Sequence, residues 1–181
     1  MKELKSQKNK RILLGVTSSV ACYKSLEIAS RLVKKGCSVK AVLSPNASKL
    51  ISPILFEAIT KDEVFTEQFD ERKVWKDDHI SLSYWADIFL IAPATANTIS
   101  KIACGICDNL LTTLVLARKC PLFIAPAMEE TMWKNRILQE NISKIKKMGI
   151  KILGPERGFL ASRKEGIGRM MEPQKIVEKI L

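Results

Sequence analysis

Residues 78–111 read DHISLSYWADIFLIAPATANTISKIACGICDNLL, and this stretch decides the fold. It contains an apolar run at 88–92, IFLIA, that stops at a proline. A short, continuous apolar run that ends at a breaker is typical of a buried parallel strand. Small and hydroxylic residues follow, and a helical pattern begins at Ile99. Because open α/β sheets bind ligands beyond the carboxyl ends of their strands, we expect this stretch to form the floor of a ligand site.

The same alternation of strand, short turn and helix runs through the rest of the chain. We predict strands near 12–16, 38–43, 88–92, 121–125 and 150–153. We predict helices near 20–36, 47–51, 53–61, 95–104, 108–118, 134–148 and 174–181. Such alternation predicts an α/β fold, a doubly wound three-layer αβα domain with a mostly parallel sheet. We divide the chain into a basic N-terminal arm, 1–10, and a single domain, 11–181, with a glycine-rich flap at about 154–173.

The chain of 181 residues has a formal net charge of +11, from 30 Lys and Arg against 19 Asp and Glu. The basic residues are scattered and no nucleic-acid module is recognisable, so we expect anionic small ligands and not nucleic acid. No apolar run approaches the length of a membrane span, and we expect no membrane association and a cytoplasmic protein. The odd count of 5 cysteines argues for a reducing compartment without a disulfide framework.

Hydroxylic residues follow the first two predicted strands. Ser18, Ser19 and Val20 begin a helix, and Ser44 follows the second strand. Free N–H groups at a helix start make an anion site that suits a phosphate, although the serines would also serve simply as helix caps. The turn has neither G-x-G-x-x-G nor a Walker lysine, which disfavours dinucleotides and nucleoside triphosphates.

Several stretches together resemble the homo-oligomeric flavin-containing cysteine decarboxylases. They are GVTSSVACYK at 15–24, HISLSYWAD at 79–87, APATANT at 92–98, CDNLLT at 107–112, PAMEETMW at 126–133 and GFLASRKEGIGRMMEP at 158–173. The resemblance covers residues 11–173 in order and spacing. It implies a Rossmann-like flavoprotein that decarboxylates phosphopantothenoylcysteine in coenzyme A biosynthesis. It also implies a homotrimer, or a dodecamer of trimers.

By the same resemblance the cofactor is FMN. Its phosphate would lie on Ser18, Ser19 and Val20 and near Ser44. Its ring would lie against small residues at the ends of two later strands, namely Thr95, Ala96, Asn97, Thr98 and Ala127.

The resemblance also implies the reacting residues. His79 matches the catalytic histidine, and Glu129 and Met132 match substrate contacts. Two positions depart from the family: Ser162 stands where the flap has a proton-donating cysteine, followed by Arg163 in place of glycine, and Glu129 stands where the family has asparagine. A serine is a far weaker acid than a thiol, and an ionised glutamate repels the substrate carboxylate unless a cation such as Arg163 pairs with it.

These departures leave alternatives to the decarboxylase reading. One is a catalytically degenerate flavoprotein that acts as a binding or regulatory subunit, and another is a decarboxylase of peptidyl cysteine. The C-x-x-C pair Cys104 and Cys107 lacks further metal ligands, and we expect both thiols to pack in the structure.

Overall fold

The computed structural model describes residues 9–67 and 78–181, except for the side chains of Asp78 and His79. Six strands form a parallel sheet in the order β3-β2-β1-β4-β5-β6. They are β1 (Arg11–Val16), β2 (Ser38–Leu43), β3 (Val64–Phe65), β4 (Ile88–Ala94), β5 (Leu122–Pro126) and β6 (Lys151–Ile152). A separate antiparallel hairpin consists of β7 (Glu156–Phe159) and β8 (Glu165–Arg169). The predicted mostly parallel, doubly wound sheet is confirmed.

Helices cover both faces of the sheet. They are a short 3-10 helix (Val20–Cys22), α1 (Tyr23–Lys34), α2 (Pro53–Thr60), α3 (Asp78–Trp85), α4 (Ala96–Cys104), α5 (Leu110–Ala117), α6 (Glu130–Trp133), α7 (Arg136–Lys147) and α8 (Pro173–Ile180). Alternate residues of β1 point to opposite faces, because Ile12 and Leu14 belong to one apolar cluster and Leu13 to the other. Helices α1, α2 and α8 cover the first face, and α3, α4, α5 and α7 cover the second. The three-layer prediction is therefore confirmed.

The helix predicted at 47–51 is wrong. Residues 45–50 form successive turns, in which the backbone N–H groups of Ala47 and Ser48 both donate to the carbonyl of Ser44. The segment ends at Ser52, which precedes Pro53 and is extended with φ −68° and ψ 129°, so the turns do not continue into the next helix.

Helix α3 was not predicted, because its apolar residues do not form one clean stripe. Ile80 and Tyr84 are 45% and 60% exposed, whereas Leu82 is buried against the sheet. The end of this helix is fixed by the ammonium of Lys40, which lies 5.3 Å from the centroid of the Trp85 ring. Among the described helices, none is long and apolar enough to cross a membrane.

Candidate functional site

Hydrogen bonds join the turns at the carboxyl ends of β1, β4 and β5. The buried hydroxyl of Thr17 donates to the carbonyl of Pro93 at 2.8 Å and accepts from the backbone N–H of Thr95 at 3.0 Å. The backbone N–H of Ala127 donates to the carbonyl of Ala94 at 3.1 Å. Because each turn holds the next, these turns form one continuous surface at the sheet edge, which we call the strand-end edge.

The turn after β1 carries three of the predicted phosphate residues, and the fourth lies beside it. The hydroxyl of Ser19 caps the 3-10 helix by accepting from the backbone N–H of Ala21 at 3.3 Å. Ser18 is exposed and makes no hydrogen bond with the described part of the chain, and Val20 is 69% exposed. Ser44 begins the turn after β2, the neighbour of β1 in the sheet. Capping therefore occupies Ser19 and leaves the Ser18 hydroxyl for a ligand.

The predicted ring-binding residues follow β4 and β5. The hydroxyl of Thr95 caps α4 by accepting from the backbone N–H of Thr98 at 3.3 Å, and it lies 3.1 Å from the Thr98 hydroxyl. Thr98 is only 6% exposed, so these two hydroxyls mainly serve the helix start. Asn97 is exposed, and Ala96 is partly exposed at the first turn of the helix. The flat, small-residue surface expected here is therefore made by backbone, Ala96 and Asn97.

A pocket of about 450 Å³ lies beside this edge. Its walls come from the start of α1 within 19–24, the turn after β5 at 127–129, and the flap at 159–161 and 168–170. Four predicted residues line it, namely Ser19, Val20, Ala127 and Glu129. Residues 95–98 of the strand-end edge lie outside its walls, as does Ser44 in the turn after β2. The pocket thus joins the predicted phosphate turn to the predicted substrate side.

The flap is the β7–β8 hairpin. At its tip the backbone N–H of Leu160 donates to the carbonyl of Lys164 at 2.9 Å, and Ser162 is exposed. Arg163 has a φ of 63°, in the left-handed region that favours glycine. Ala161 lines the pocket, whereas Ser162, the next residue, lies outside the pocket walls.

Strand β8 passes unusually close to the turn after β5. The backbone N–H of Met128 donates to the carbonyl of Gly168 at 3.0 Å. A Cβ atom on Gly168 would lie 2.1 Å from the carbonyl oxygen of Met128, so only glycine fits this crossing. The flap is therefore seated directly on the floor of the pocket.

Two adjacent glutamates begin α6 and have different surroundings. Glu129 lines the pocket, and its carboxylate makes no hydrogen bond or ion pair within the described residues, Arg163 included. The carboxylate of Glu130 accepts from the backbone N–H of Ile167 at 3.1 Å and lies 3.0 Å from the Nζ of Lys134. These two interactions, that of Ile167 first, lower the pKa of Glu130. Sequence reasoning singled out Glu129 and missed Glu130.

Met132, predicted to contact substrate, lies on α6 outside the pocket walls and is 48% exposed. The pocket of the single chain therefore includes Glu129 and not Met132.

A charged triad at the pocket rim was also missed. Lys24 and Arg169 both line the pocket, and both contact the carboxylate of Glu172. The Lys24 side chain is only 13% exposed, and its Nζ lies 3.2 Å from that carboxylate. Burial acts to raise the pKa of Glu172, but the hydrogen bonds and charges of Lys24 and Arg169 outweigh it and the pKa is lowered. The pocket is therefore lined by two cations, Lys24 on the α1 wall and Arg169 on the flap, which share the Glu172 carboxylate, and by Glu129 at the turn after β5.

His79 lies in the first turn of α3, and the position of its side chain is outside the described residues. The motif that contains it also supplies a structural ion pair. Asp87 accepts from the guanidinium of Arg11 at 2.7 Å and from its backbone N–H at 2.9 Å, which ties the start of β1 to the turn before β4. The predicted catalytic role of His79 stays a prediction.

The expectation that Cys104 and Cys107 pack in the structure is wrong for the single chain. Both thiols are exposed, because α4 ends at Cys104 and Gly105 turns the chain outward with a φ of 70°. The other three cysteines are also free, with Cys22 and Cys37 buried.

The whole chain, residues 1–181, matches the model of the flavoprotein family, and the protein belongs to that family. Its curated relatives include coenzyme A biosynthesis bifunctional protein CoaBC of Borreliella burgdorferi, 43% identical over 176 residues, which are 96% of this chain and 44% of the relative. The chain thus spans less than half of that bifunctional protein. The probable phosphopantothenoylcysteine decarboxylase of Streptococcus mutans is 36% identical over 173 residues, covering 94% of this chain and 97% of the relative.

Solved structures agree with the sequence comparison. A cysteine-to-serine mutant of PPC decarboxylase in complex with pantothenoylaminoethenethiol has a TM-score of 0.84 and 33% identity, and the match covers 96% of this chain and 97% of that chain. The FMN-dependent cysteine decarboxylase SpaF has a TM-score of 0.81 and 28% identity, with 96% of this chain and 95% of that chain covered. The resemblance drawn from the sequence motifs is therefore confirmed.

Proposed function

We propose that this protein binds FMN and decarboxylates phosphopantothenoylcysteine, a step of coenzyme A biosynthesis. The observation that carries the proposal is the continuous strand-end edge beside a pocket with a flap across it. The full-length likeness to a probable phosphopantothenoylcysteine decarboxylase supports the same reaction and substrate.

The residues of the strand-end edge fit FMN. Ser18 has an uncommitted hydroxyl at a helix start, next to Ser44, which suits a phosphate. Backbone, Ala96 and Asn97 at the start of α4, with the buried Ala127 beside them, suit a flat ring. A bound FMN would supply a two-electron oxidant and reductant next to the substrate thiol.

The residues around the pocket would then hold the substrate. Lys24 and Arg169, which share one carboxylate partner in Glu172, leave a net positive charge at the pocket that attracts an anionic, phosphorylated substrate. The flap covers the opening and excludes water from the reacting thiol. We assign His79 the role of a base or of a hydrogen-bond partner for the substrate carboxylate, and Met132 a contact that the single chain does not complete.

Ser162 makes the second half of the reaction slow in this proposal. A serine hydroxyl at the flap tip cannot easily protonate the product, so the decarboxylated aminoethenethiol should persist. The structure of a PPC decarboxylase with a cysteine-to-serine change contains pantothenoylaminoethenethiol, which supports this expectation.

A second candidate function is a catalytically degenerate flavoprotein that acts as a binding or regulatory subunit. The unpaired carboxylate of Glu129 favours it, because an ionised glutamate repels a substrate carboxylate. A peptidyl-cysteine decarboxylase is a further alternative, supported by the likeness to the solved peptidyl-cysteine decarboxylase EpiD, which has a TM-score of 0.79 and 30% identity.

The test begins with FMN titration, followed by incubation with phosphopantothenoylcysteine or a peptide that ends in cysteine. We expect a yellow protein that releases carbon dioxide from phosphopantothenoylcysteine and much less from the peptide. FMN binding without carbon dioxide release from either substrate would favour the degenerate subunit. Failure to bind FMN would overturn the proposal.

We also propose that the protein works as a homotrimer, alone or within a dodecamer, in the cytoplasm. Val20 and Tyr23 line the pocket yet are 69% and 61% exposed, which favours a neighbouring copy as their cover. Sedimentation of the FMN-loaded protein tests this, and a monomer at micromolar concentration would contradict it. Within each copy we propose that residues 11–181 form the single FMN-binding domain.

A further inference from the structure

We propose that Glu130 is a latch that positions the flap over the pocket by accepting a hydrogen bond from the backbone N–H of Ile167. The inference rests on the proposed function only in taking the pocket as the substrate site. Glu130 is then a positioning residue for the reaction, next in sequence to Glu129, which faces the pocket.

The flap is attached to the floor of the pocket at two points. Strand β8 contacts the floor through the backbone bond from Met128 to Gly168, at 3.0 Å, and through the Glu130 carboxylate and the N–H of Ile167, at 3.1 Å. The two contacts involve adjacent flap residues, so together they fix both the height and the rotation of β8. The first contact is backbone alone, whereas the second depends on the identity of one side chain.

The glycine at position 166 leaves room for the Glu130 side chain. A Cβ atom on Gly166 would lie 3.0 Å from both the Cβ and the Cδ of Glu130. The flap therefore has no side chain where the glutamate crosses it, just as it has none at Gly168 where it crosses Met128. Each of the two contacts thus falls where β8 has a glycine, which indicates that the strand is adapted to this position on the floor.

An ion pair with Lys134 holds the Glu130 carboxylate in place. The Nζ of Lys134 lies 3.0 Å from the Glu130 carboxylate one helical turn away. Together with the Ile167 N–H, this ammonium favours the ionised form that accepts the bond. The ammonium of Lys134 pairs with Glu130, whereas the flap bond is made by Ile167. Replacing Lys134 therefore tests the ion pair separately from the hydrogen bond to the flap.

The hydrogen bond between Glu130 and Ile167 lies next to flap residues that line the pocket. Residues 168–170 directly follow Ile167 and line the pocket, and the end of β7 and the flap tip contribute Phe159, Leu160 and Ala161. Release of Ile167 would leave β8 held to the floor by the Met128 bond alone and would loosen the pocket roof.

Trypsin measures flap opening without any need for activity, because Arg163 and Lys164 are exposed at the flap tip. We compare the wild-type, FMN-loaded protein with the variants Glu130→Ala, Glu130→Gln, Lys134→Ala and Glu140→Ala. Cleavage after Lys61, an exposed lysine that precedes the opposite edge strand, provides the internal reference.

Glu130→Ala should speed cleavage at the flap tip roughly three- to tenfold relative to the reference, because an ionic hydrogen bond to the flap is lost. Glu130→Gln keeps an acceptor and should restore most of the protection. Lys134→Ala loses the ion pair that holds the Glu130 carboxylate and should cleave at a rate between those of the wild type and Glu130→Ala, whereas Glu140→Ala should cleave like the wild type. With phosphopantothenoylcysteine, Glu130→Ala should raise KM more than it lowers kcat, as expected when a lid closes less often.

Equal cleavage rates at the flap tip in all five proteins would overturn the latch. The latch would also be overturned if Glu130→Gln were cleaved at the flap tip as fast as Glu130→Ala while both variants kept the wild-type melting temperature. If no protein has activity but the cleavage rates follow the predicted order, the proposed function fails and the latch stands.

Discussion

The strand-end edge and the flap form opposite sides of one pocket, and they are held in opposite ways. The edge is fixed by buried bonds such as those of Thr17, which is 1% exposed and satisfied on both sides. The flap is an exposed hairpin seated by Met128 and Glu130. The edge to which we assign the cofactor is therefore part of the core, whereas the flap, to which we assign the substrate, depends on a few surface contacts that can change without loss of the fold.

The change Thr17→Val would break the edge and should have the largest effect. Valine has nearly the same shape but leaves the N–H of Thr95 without its partner and removes one of the two hydrogen bonds to the carbonyl of Pro93, at a cost of about 1–3 kcal/mol in the free energy of unfolding. We expect urea denaturation to show this loss and FMN titration to show much weaker binding. Ser25→Ala, which removes one buried bond to the carbonyl of Ala92 behind the edge, should cost less and leave FMN binding near normal.

The change Gly168→Ala attacks the flap and should leave the edge intact. The new Cβ would collide with the carbonyl oxygen of Met128 and displace β8. We expect kcat/KM for decarboxylation to fall roughly 10- to 100-fold, with FMN affinity within about threefold of the wild type. An alanine variant that releases carbon dioxide at the normal rate would show that the flap position is unimportant.

The change Glu129→Asn tests whether the Glu129 carboxylate repels the substrate. It removes a negative charge that faces the pocket and supplies an amide donor for the substrate carboxylate. We expect KM to fall about three- to tenfold without a change in melting temperature. The exposed variant Glu140→Gln is the control, and an equal fall of KM in both variants would refute the repulsion at Glu129.

The smallest effect should come from Asp87, at the opposite end of the sheet from the edge. The hydrogen bond from Arg11 lowers the pKa of Asp87, although partial burial opposes it. A lowered pKa means that the stabilisation is present above the ordinary carboxyl pKa of about 3.9 and is lost as the pH falls through the lowered value. Because the pair is largely exposed, Asp87→Asn should lower the melting temperature by under about 3 °C at pH 7, and the difference should vanish in acid.

The sequence predicted the edge well because each of its parts is local. A strand, a hydroxylic turn and a helix start lie within one run of residues, as in 88–104, and the periodicity of the run reveals all three. Parallel strands then bring such turns to one edge whatever their separation in the chain.

The flap contacts could not be predicted in this way. Glu130 and Ile167 are 37 residues apart, and Lys24 and Glu172 are 148 apart, with no local pattern that pairs them. Cys104 and Cys107 were misplaced for a related reason, since an αL turn at Gly105 decides which way the thiols face. The glycines at 166 and 168 were the available signal, because two glycines in one strand indicate a close approach of another segment.

The most direct test of the account is mass spectrometry of the product that the unmodified, FMN-loaded protein makes from phosphopantothenoylcysteine without oxygen. With the flap cysteine replaced by Ser162, we expect each bound FMN to take up two hydrogens and to yield at most one product that has lost carbon dioxide and two hydrogens, the aminoethenethiol. The variant Ser162→Cys should shift the product toward phosphopantetheine, which has lost carbon dioxide alone. Efficient formation of phosphopantetheine by the unmodified protein, or no loss of carbon dioxide at all, would contradict the account.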